Sequence, residues 1–410
     1  MMVTAHPENT HVIGLTGSFG SGCSYVARNV LSKLGYQRVS LSDALWNEYQ
    51  KEHAETEKEQ VPREQLQAFG DQLRKEHGND YLASVALEEI ENIGSTDRVM
   101  RVVVDSIRNP AEVHFLRRKF PGDFFLFGVY ASQDKRWDRV RNSPQYHGDF
   151  RQFQDDDQRD CGRHSKECGQ RVEDCFVEAD VVFANEEPIL VIDNATFQAF
   201  VGRVQGYVDL VETRLSRRQP SLRESLMAAA YTISQRSSCL QRKVGALIAD
   251  SEGNVVSSGF NEVPRYCRPC FQEYGKCYRK VVWQEVADKL RSKFPGLNGK
   301  HDELVSFLRG ELKLLDNCHS LHAEENAIVN LARNGRSIPL ETCTLYTTTY
   351  PCRLCANKIV NLGLGRVVYL EPYPDPEAKK ILSGAGIQVK DECFEGVTFK
   401  AYSRIYGEKK

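Results

Sequence analysis

The sequence predicts an α/β protein in two parts, and three observations carry that expectation. Short apolar runs ending in glycine or aspartate recur with helical stretches between them, the pattern of parallel strands covered by helices. A polar, basic stretch, Ser216-Arg-Arg-Gln-Pro-Ser221, divides the 410 residues near their middle. Third, the composition is that of a globular chain, with 41% hydrophobic residues and 54 Lys and Arg against 56 Asp and Glu, a net charge of −2. So balanced a charge gives no global attraction to nucleic acid or anionic lipid. No stretch reaches the roughly 20 apolar residues of a membrane span, and the start, MMVTAHPENTH, is no signal peptide. The 13 cysteines therefore point to metal binding or chemistry in a reducing, cytoplasmic setting, not to disulfides.

In the first part, residues 1–217, His11-Val-Ile-Gly-Leu-Thr-Gly reads as a buried parallel strand, followed by a helix over 24–34. Pro62 opens a second helix that runs to 77. Residues 100–105, 124–131 and 180–184 read as further buried strands. Between the last two, residues 136–175 are charged and weakly periodic, which predicts a lid over a site or a solvated excursion. A helix over 197–215 leads to the polar linker.

The second part, residues 218–410, opens with a helix over 221–236, where Ser221 and Glu224 have the spacing of a capping box. Strands follow at 244–249 and 254–260, then an insertion at 264–318 with a helical section at 281–314. A helix over 322–333, a strand over 343–348, a helix over 352–362, a strand over 366–370 and a helix–strand pair over 376–390 complete it.

Two places carry chemistry. The stronger is His322-Ala-Glu324, with Pro351-Cys352-Arg-Leu-Cys355 following 27 residues after the glutamate. Each element begins a helix, whose positive N-terminal end favours thiolates. Cys352 and Cys355 lie one turn apart, so both sulfurs and the His322 imidazole can reach one ion. Three protein ligands leave a fourth tetrahedral position for water, the arrangement of catalytic zinc. Glu324 stands beside the ligands as the proton-moving carboxylate. H-x-E followed by P-C-x-x-C is the signature of zinc deaminases.

With Ser237-Ser-Cys-Leu-Gln-Arg-Lys-Val-Gly-Ala and Ser258-Gly-Phe-Asn-Glu-Val-Pro264 added, this part resembles the deoxycytidylate deaminase family. The resemblance implies an α/β/α layer fold and trimeric or hexameric assembly. It also implies contact of Asn261 with deoxyribose, and makes Arg236, Ser237, Ser238 and Arg242 candidates for the substrate phosphate. Family members carry a further zinc near an insertion of this kind, for which Cys267, Cys270, Cys277 and Cys318 are the candidates here; free thiols are the other reading. A cluster at Cys161, His164, Cys168 and Cys175 has weaker metal spacing, and Cys175 reads as core.

The second place is Gly17-Ser-Phe-Gly20-Ser-Gly22-Cys23-Ser24, between a strand and a helix. This is the setting in which G-x4-G-K-[ST] cradles phosphate, but Cys23 stands where the lysine belongs. Ser24 and the strand-ending Asp105 could position magnesium. Together with Asp105-Ser-Ile-Arg-Asn-Pro-Ala-Glu112, Gly169-Gln-Arg-Val and Ala184-Asn185, this part resembles P-loop deoxynucleoside monophosphate kinases. A nucleotide sensor, a structural relic and an active kinase all remain open, as does a small RNA as regulatory partner. The two parts joined resemble bacterial antiphage deoxycytidine nucleotide deaminases, which implies hydrolysis of dCMP or dCTP to dUMP or dUTP and ammonia. A housekeeping supply of dUMP is the alternative.

Overall fold

The computed structural model describes residues 9–54, 57, 61–94, 99–143, 146–161, 169–186, 194–213, 218–294, 296, 299–311, 318–335, 338–372, 375–384 and 392–407. These form two compact units, one of residues 1–224 with 395–410 and one of residues 225–394.

The first unit opens with β1 (Asn9–Thr16), α1 (Cys23–Asn29), β2 (Gln37–Ser40), α2 (Leu41–Glu52), α3 (Arg63–His77) and α4 (Tyr81–Gly94). It continues with β3 (Val99–Asp105), α5 (Pro110–Lys119), β4 (Phe124–Tyr130), α6 (Gln133–Arg141), α7 (Phe150–Cys161), α8 (Val172–Val177), β5 (Val181–Ala184) and α9 (Asn194–Thr213). Its five strands pair in parallel in the order β5-β4-β1-β3-β2. Parallel strands need helical crossovers, so both faces are covered, and β4 (FFLFGVY) is buried at every position. Because β1 has β3 on one side and β4 on the other, the strand order reverses there. In an open parallel sheet such a point leaves a crevice beyond the strand's carboxyl end, and Gly17–Ser24 follows directly. β2 (QRVS) is too short and polar to be read as a strand from its residues. The predicted helix at 24–34 is shorter, ending at Asn29 and passing into a 3₁₀ turn, Leu31–Leu34, closed by Gly35 at φ 87°.

The second unit contains α10 (Leu222–Ser234, whose first turn belongs to the first unit), β6 (Gly245–Ala249), β7 (Val255–Phe260), α11 (Cys270–Tyr274), α12 (Tyr278–Lys293) and α13 (His301–Glu311). Then follow α14 (Ala323–Asn334), β8 (Thr344–Thr349), α15 (Arg353–Leu362), β9 (Arg366–Glu371) and α16 (Pro376–Gly384). The sheet order is β7-β6-β8-β9, antiparallel except for the parallel β8–β9 pair. The anticipated capping box is present: Ser221 N donates to Glu224 Oε2 at 2.7 Å, and Glu224 N donates to Ser221 Oγ at 3.2 Å. The insertion holds a small core of its own around Trp283, Ala287 and Leu308. The strand expected near 390 lies largely outside the described residues.

The chain then returns. β10 (Gly396–Val397) pairs antiparallel with β5, and α17 (Phe399–Tyr406) buries Ala401 and Ile405 in the first unit's core beside Val181, Phe183 and Phe200. The contact units thus differ from a division at 217/218, because residues 395–410 pack with the first unit. Polar anchors explain why: Thr398 Oγ1 donates to Ala179 O at 2.6 Å, Lys400 pairs with Glu178 at 2.6 Å, and Arg404 pairs with the buried Asp180 at 3.3 Å.

Candidate functional site

His322 is the N-cap of α14, Cys352 is the N-cap of α15, and Cys355 lies in the first turn of α15. Their ligand atoms all lie within 4.8 Å of one another, and His322 Nδ1 is 3.3 Å from both Cys352 Sγ and Cys355 Sγ. A tetrahedral zinc ion with Zn–S of about 2.3 Å and Zn–N of about 2.0 Å needs an N–S edge of roughly 3.5 Å. The donor set and its spacing therefore fit zinc. Cys352 is drawn down to about 4, first by a hydrogen bond with Cys355 and then by His322 beside it, against the opposing effect of burial.

Glu324 is buried at 4% exposure, and Cys355 Sγ donates to its Oε2 at 3.6 Å. Burial pushes its carboxyl up to about 7, opposed by His322, so it can hold or release a proton near neutrality. Its neighbour Glu325 is employed differently: it accepts from His322 N at 2.6 Å and pairs with Lys358 of α15. That tie links α14 to α15, the two helices whose starts carry the ligands.

β7 sets the seat of α14. A Cβ at Gly259 would fall 2.3 Å from Ala327 N and 2.4 Å from Ala323 O, so only glycine lets the helix backbone come so close. Asn326 and Asn330, one turn apart, donate to the carbonyls of Phe260 and Ser258 at 2.7 and 2.8 Å. They satisfy the outer edge of an edge strand.

Residues 220–371 match the family model described as the cytidine and deoxycytidylate deaminase zinc-binding region. The deoxycytidylate deaminase of Enterobacteria phage T4 is 34% identical over 181 residues, 40% of this chain and 86% of the phage enzyme. The chain belongs to the deoxycytidylate deaminase family. The deoxycytidylate deaminase of Saccharomyces cerevisiae is 30% identical over 202 residues, 48% of this chain, and the match spans about half, 54%, of the yeast protein's own length. Among solved structures, a shikimate kinase from Bacteroides thetaiotaomicron aligns with 48% of this chain and 98% of its own, at 14% identity and a TM-score of 0.32.

The remaining residues expected at the deaminase site are placed as follows. Asn261 is buried, with Oδ1 accepting from Val244 N at 2.7 Å and Nδ2 donating to Arg242 O at 2.8 Å, so its amide already shapes the 242–244 turn. The Glu262–Leu321 bridge brings that turn next to His322. Ser237 Oγ donates to Asn261 O at 2.6 Å; Arg236 lies over the Phe260 ring at 4.9 Å; Arg242 pairs with Glu371. Glu262, not anticipated from sequence, orders Ser238 by accepting from its N and Oγ at 2.8 and 2.5 Å.

The second cysteine set is not drawn to metal-holding distance: among the described residues only His322, Cys352 and Cys355 have three ligand atoms within 4.8 Å of one another. Cys270, Cys277 and Cys318 line one small cavity, joined there by Cys239, whereas Cys267 is exposed. Cys239 was not among the candidates because it precedes the insertion in sequence and no local spacing links it to the others. His319 packs against Tyr278 with ring centroids 3.7 Å apart and the rings tilted by 31°. Of the weaker cluster, His164 and Cys168 lie outside the described residues, and Cys175 is buried core as expected.

The glycine loop in the first unit has Gly20 at φ 82° and Gly22 at φ 94°, both left-handed. Its carbonyls are held by α6: Arg136 donates to Phe19 O at 3.0 Å, and Arg139 donates to Gly20 O and Ser21 O at 3.3 and 3.1 Å. Cys23 is half-buried against the core. Burial and then Asp105 push its thiol up to about 12, while Arg108 pulls the other way. It is a neutral residue at the lysine position. Asp105, expected at magnesium, is fully buried and paired with Arg38 at 3.0 Å.

Proposed function

We propose that this protein hydrolytically deaminates a deoxycytidine nucleotide, dCMP or dCTP, using one zinc ion held by His322, Cys352 and Cys355. Such an ion, with three protein ligands, supplies the Lewis acidity that makes water nucleophilic near neutral pH. The observation that carries the reading is Glu324: a carboxyl buried beside the three ligands, 3.6 Å from Cys355 Sγ, where burial favours its protonated form. It would give a proton to N3 of the pyrimidine and pass another to the departing amine. Water adds at C4, the C4–N4 bond breaks, nitrogen leaves as ammonia and oxygen stays as the 4-oxo group of dUMP or dUTP.

The turn that carries Asn261, Arg236, Ser237 and Arg242 is proposed to hold the nucleotide, with the sugar nearest Asn261. The Glu262–Leu321 bridge supports this by bringing the turn beside the ligand helix. A ribose 2′-OH left unpaired there would cost about 1–3 kcal/mol. Incubation with dCMP, dCTP, CMP, CTP and deoxycytidine, each followed by ammonia release, should show turnover of a deoxynucleotide well above its ribose counterpart. Equal turnover would remove the sugar assignment.

A second, structural zinc is proposed at Cys270, Cys277 and Cys318, with Cys239 in place of Cys267. The shared cavity supports that exchange. Metal analysis would give two zinc ions per chain, falling to one in Cys270→Ser.

The first unit is proposed to bind a nucleotide and to govern deamination without transferring phosphate. The position of the loop at the reversal in strand order supports binding, and neutral Cys23 argues against transfer. Asp105, already neutralised by Arg38, would bring magnesium only by releasing that pair. In the wider reading, a homo-oligomer depletes deoxycytidine nucleotides during phage infection. The pairing of the two units on one chain supports it, and cellular dCTP measured after infection, with and without this protein, tests it.

A further inference from the structure

The charged stretch that follows β4 contains α7, and α7 does more than cover the glycine loop. Asp156, Asp157 and Asp160 of this helix are each buried to 7% exposure or less. Three like charges on a little over one turn repel one another, so their burial needs counter-ions. Each of Asp157 and Asp160 meets arginine. Asp157 accepts twice from Arg136, at 2.5 and 2.8 Å, and the same guanidinium holds Phe19 O of the glycine loop. Asp160 pairs with Arg63, accepts from Gln67 Nε2 at 2.7 Å and stands 4.0 Å from Arg108. Arg63 in turn lies 3.4 Å above the ring of Phe19, at the tip of the loop. The rings of Tyr146 and Phe153 also pack against Phe19, with centroids at 5.6 and 5.9 Å, and Tyr146 donates to Asp156 at 2.9 Å.

Two arginines, Arg63 and Arg136, thus meet the glycine loop at Phe19, a third, Arg108, stands beside Asp160 and donates to Gln170 at 3.3 Å, and the carboxylates that face all three come from one helix. The fit is incomplete: Arg63 Nε and Gln67 Oε1 are buried with no hydrogen-bond partner. A carboxylate offers two oxygens to a guanidinium cluster, whereas a phosphoryl group offers three and recognises arginine at least as well.

We propose that α7 is a displaceable acidic latch, whose Asp157 and Asp160 occupy the arginines that the phosphates of a nucleoside di- or triphosphate take when they bind the loop. This rests on the reading of Gly17–Ser24 as a phosphate site. Ligand and latch compete for Arg63, Arg108 and Arg136, so the apparent affinity for phosphate is reduced by the fraction of molecules in which the latch is closed.

The chain carries its own reporter. Trp137 of α6 packs on Phe150 and Phe153 of α7, with ring centroids 5.4 and 5.5 Å apart, so release of α7 alters its emission. Full-length protein is titrated with magnesium pyrophosphate while tryptophan emission is followed, and Trp137→Phe identifies the signal. Saturation should change Trp137 emission. Asp157→Asn, which keeps the shape but loses the charge, should lower the half-saturating concentration by roughly tenfold. Phe150→Ala, which loosens the packing of α7 without touching a charge, should shift it in the same direction, and it decides alone if Asp157→Asn does not fold. Binding that is unchanged or weaker in well-folded variants overturns the latch and leaves the phosphate site standing. Absence of pyrophosphate binding in wild type and in both variants overturns the phosphate site and the latch together.

Discussion

In the proposed reaction Glu324 has a role that cannot be exchanged with those of its neighbours: the ligands beside it would hold metal, while it would move protons. Glu324→Ala should therefore lose at least roughly 10²–10⁴-fold in turnover, toward the upper end because one group serves twice, with zinc content unchanged. Cys352→Ala should lose zinc and activity together, so metal analysis of the two purified variants separates the roles. Gly259→Ala tests the seat of the helix. Its Cβ would meet backbone at 2.3–2.4 Å, which no rotamer change relieves, and a cost at or above the usual ~1–3 kcal/mol of overpacking should appear as a lower melting temperature with impaired zinc binding. The metal ligands were legible because their spacing is local to two helix starts. Asn326, Asn330 and Gly259 were not, because α14 and β7 are far apart in sequence, with the asparagines' partners 66 and 72 positions away, and nothing in their own segments announces the contact. Cys239 shows the same limit from the other direction: the cavity it shares with Cys270, Cys277 and Cys318 exists only once the chain has folded.

At the scale of elements, the buried strands β1, β3, β4 and β5 and the long helices α3, α9 and α14 could be read from apolar runs and period. β2 could not, since four residues with half their side chains near solvent carry no pattern. The tail was hidden for a different reason. β10 has two residues, and what places it is a set of anchors at Ala179, Glu178 and Asp180 more than two hundred positions earlier. Ile405, 2% exposed in the first unit's core, measures that closure. Ile405→Ala should cost about 2–5 kcal/mol, seen as earlier unfolding of the unit that contains Trp46 and Trp137. An unchanged melting curve would mean that α17 adds nothing to that core. A fragment ending at 217 lacks both β10 and α17, so nucleotide binding is better measured on the whole chain.

At the scale of the whole molecule, one chain carries a unit that matches the cytidine and deoxycytidylate deaminase family model and a unit with a glycine loop, and the glycine-loop unit is closed by residues that follow the other in sequence. The two-part α/β organisation was legible from composition and strand pattern. The return of the chain was not, because a contiguous reading has no way to assign the last residues to the first core. The claim on which the rest depends is zinc-dependent hydrolysis at C4 of a deoxycytidine nucleotide, with Glu324 moving the protons. Its most direct test is ammonia release from dCMP and from dCTP, measured side by side for zinc-loaded wild type, zinc-loaded Glu324→Ala and wild type stripped by a chelator. Release by the loaded wild type alone, restored to the stripped protein by added zinc, is the predicted result. Equal release by zinc-loaded Glu324→Ala, or full activity after zinc is removed, would contradict it.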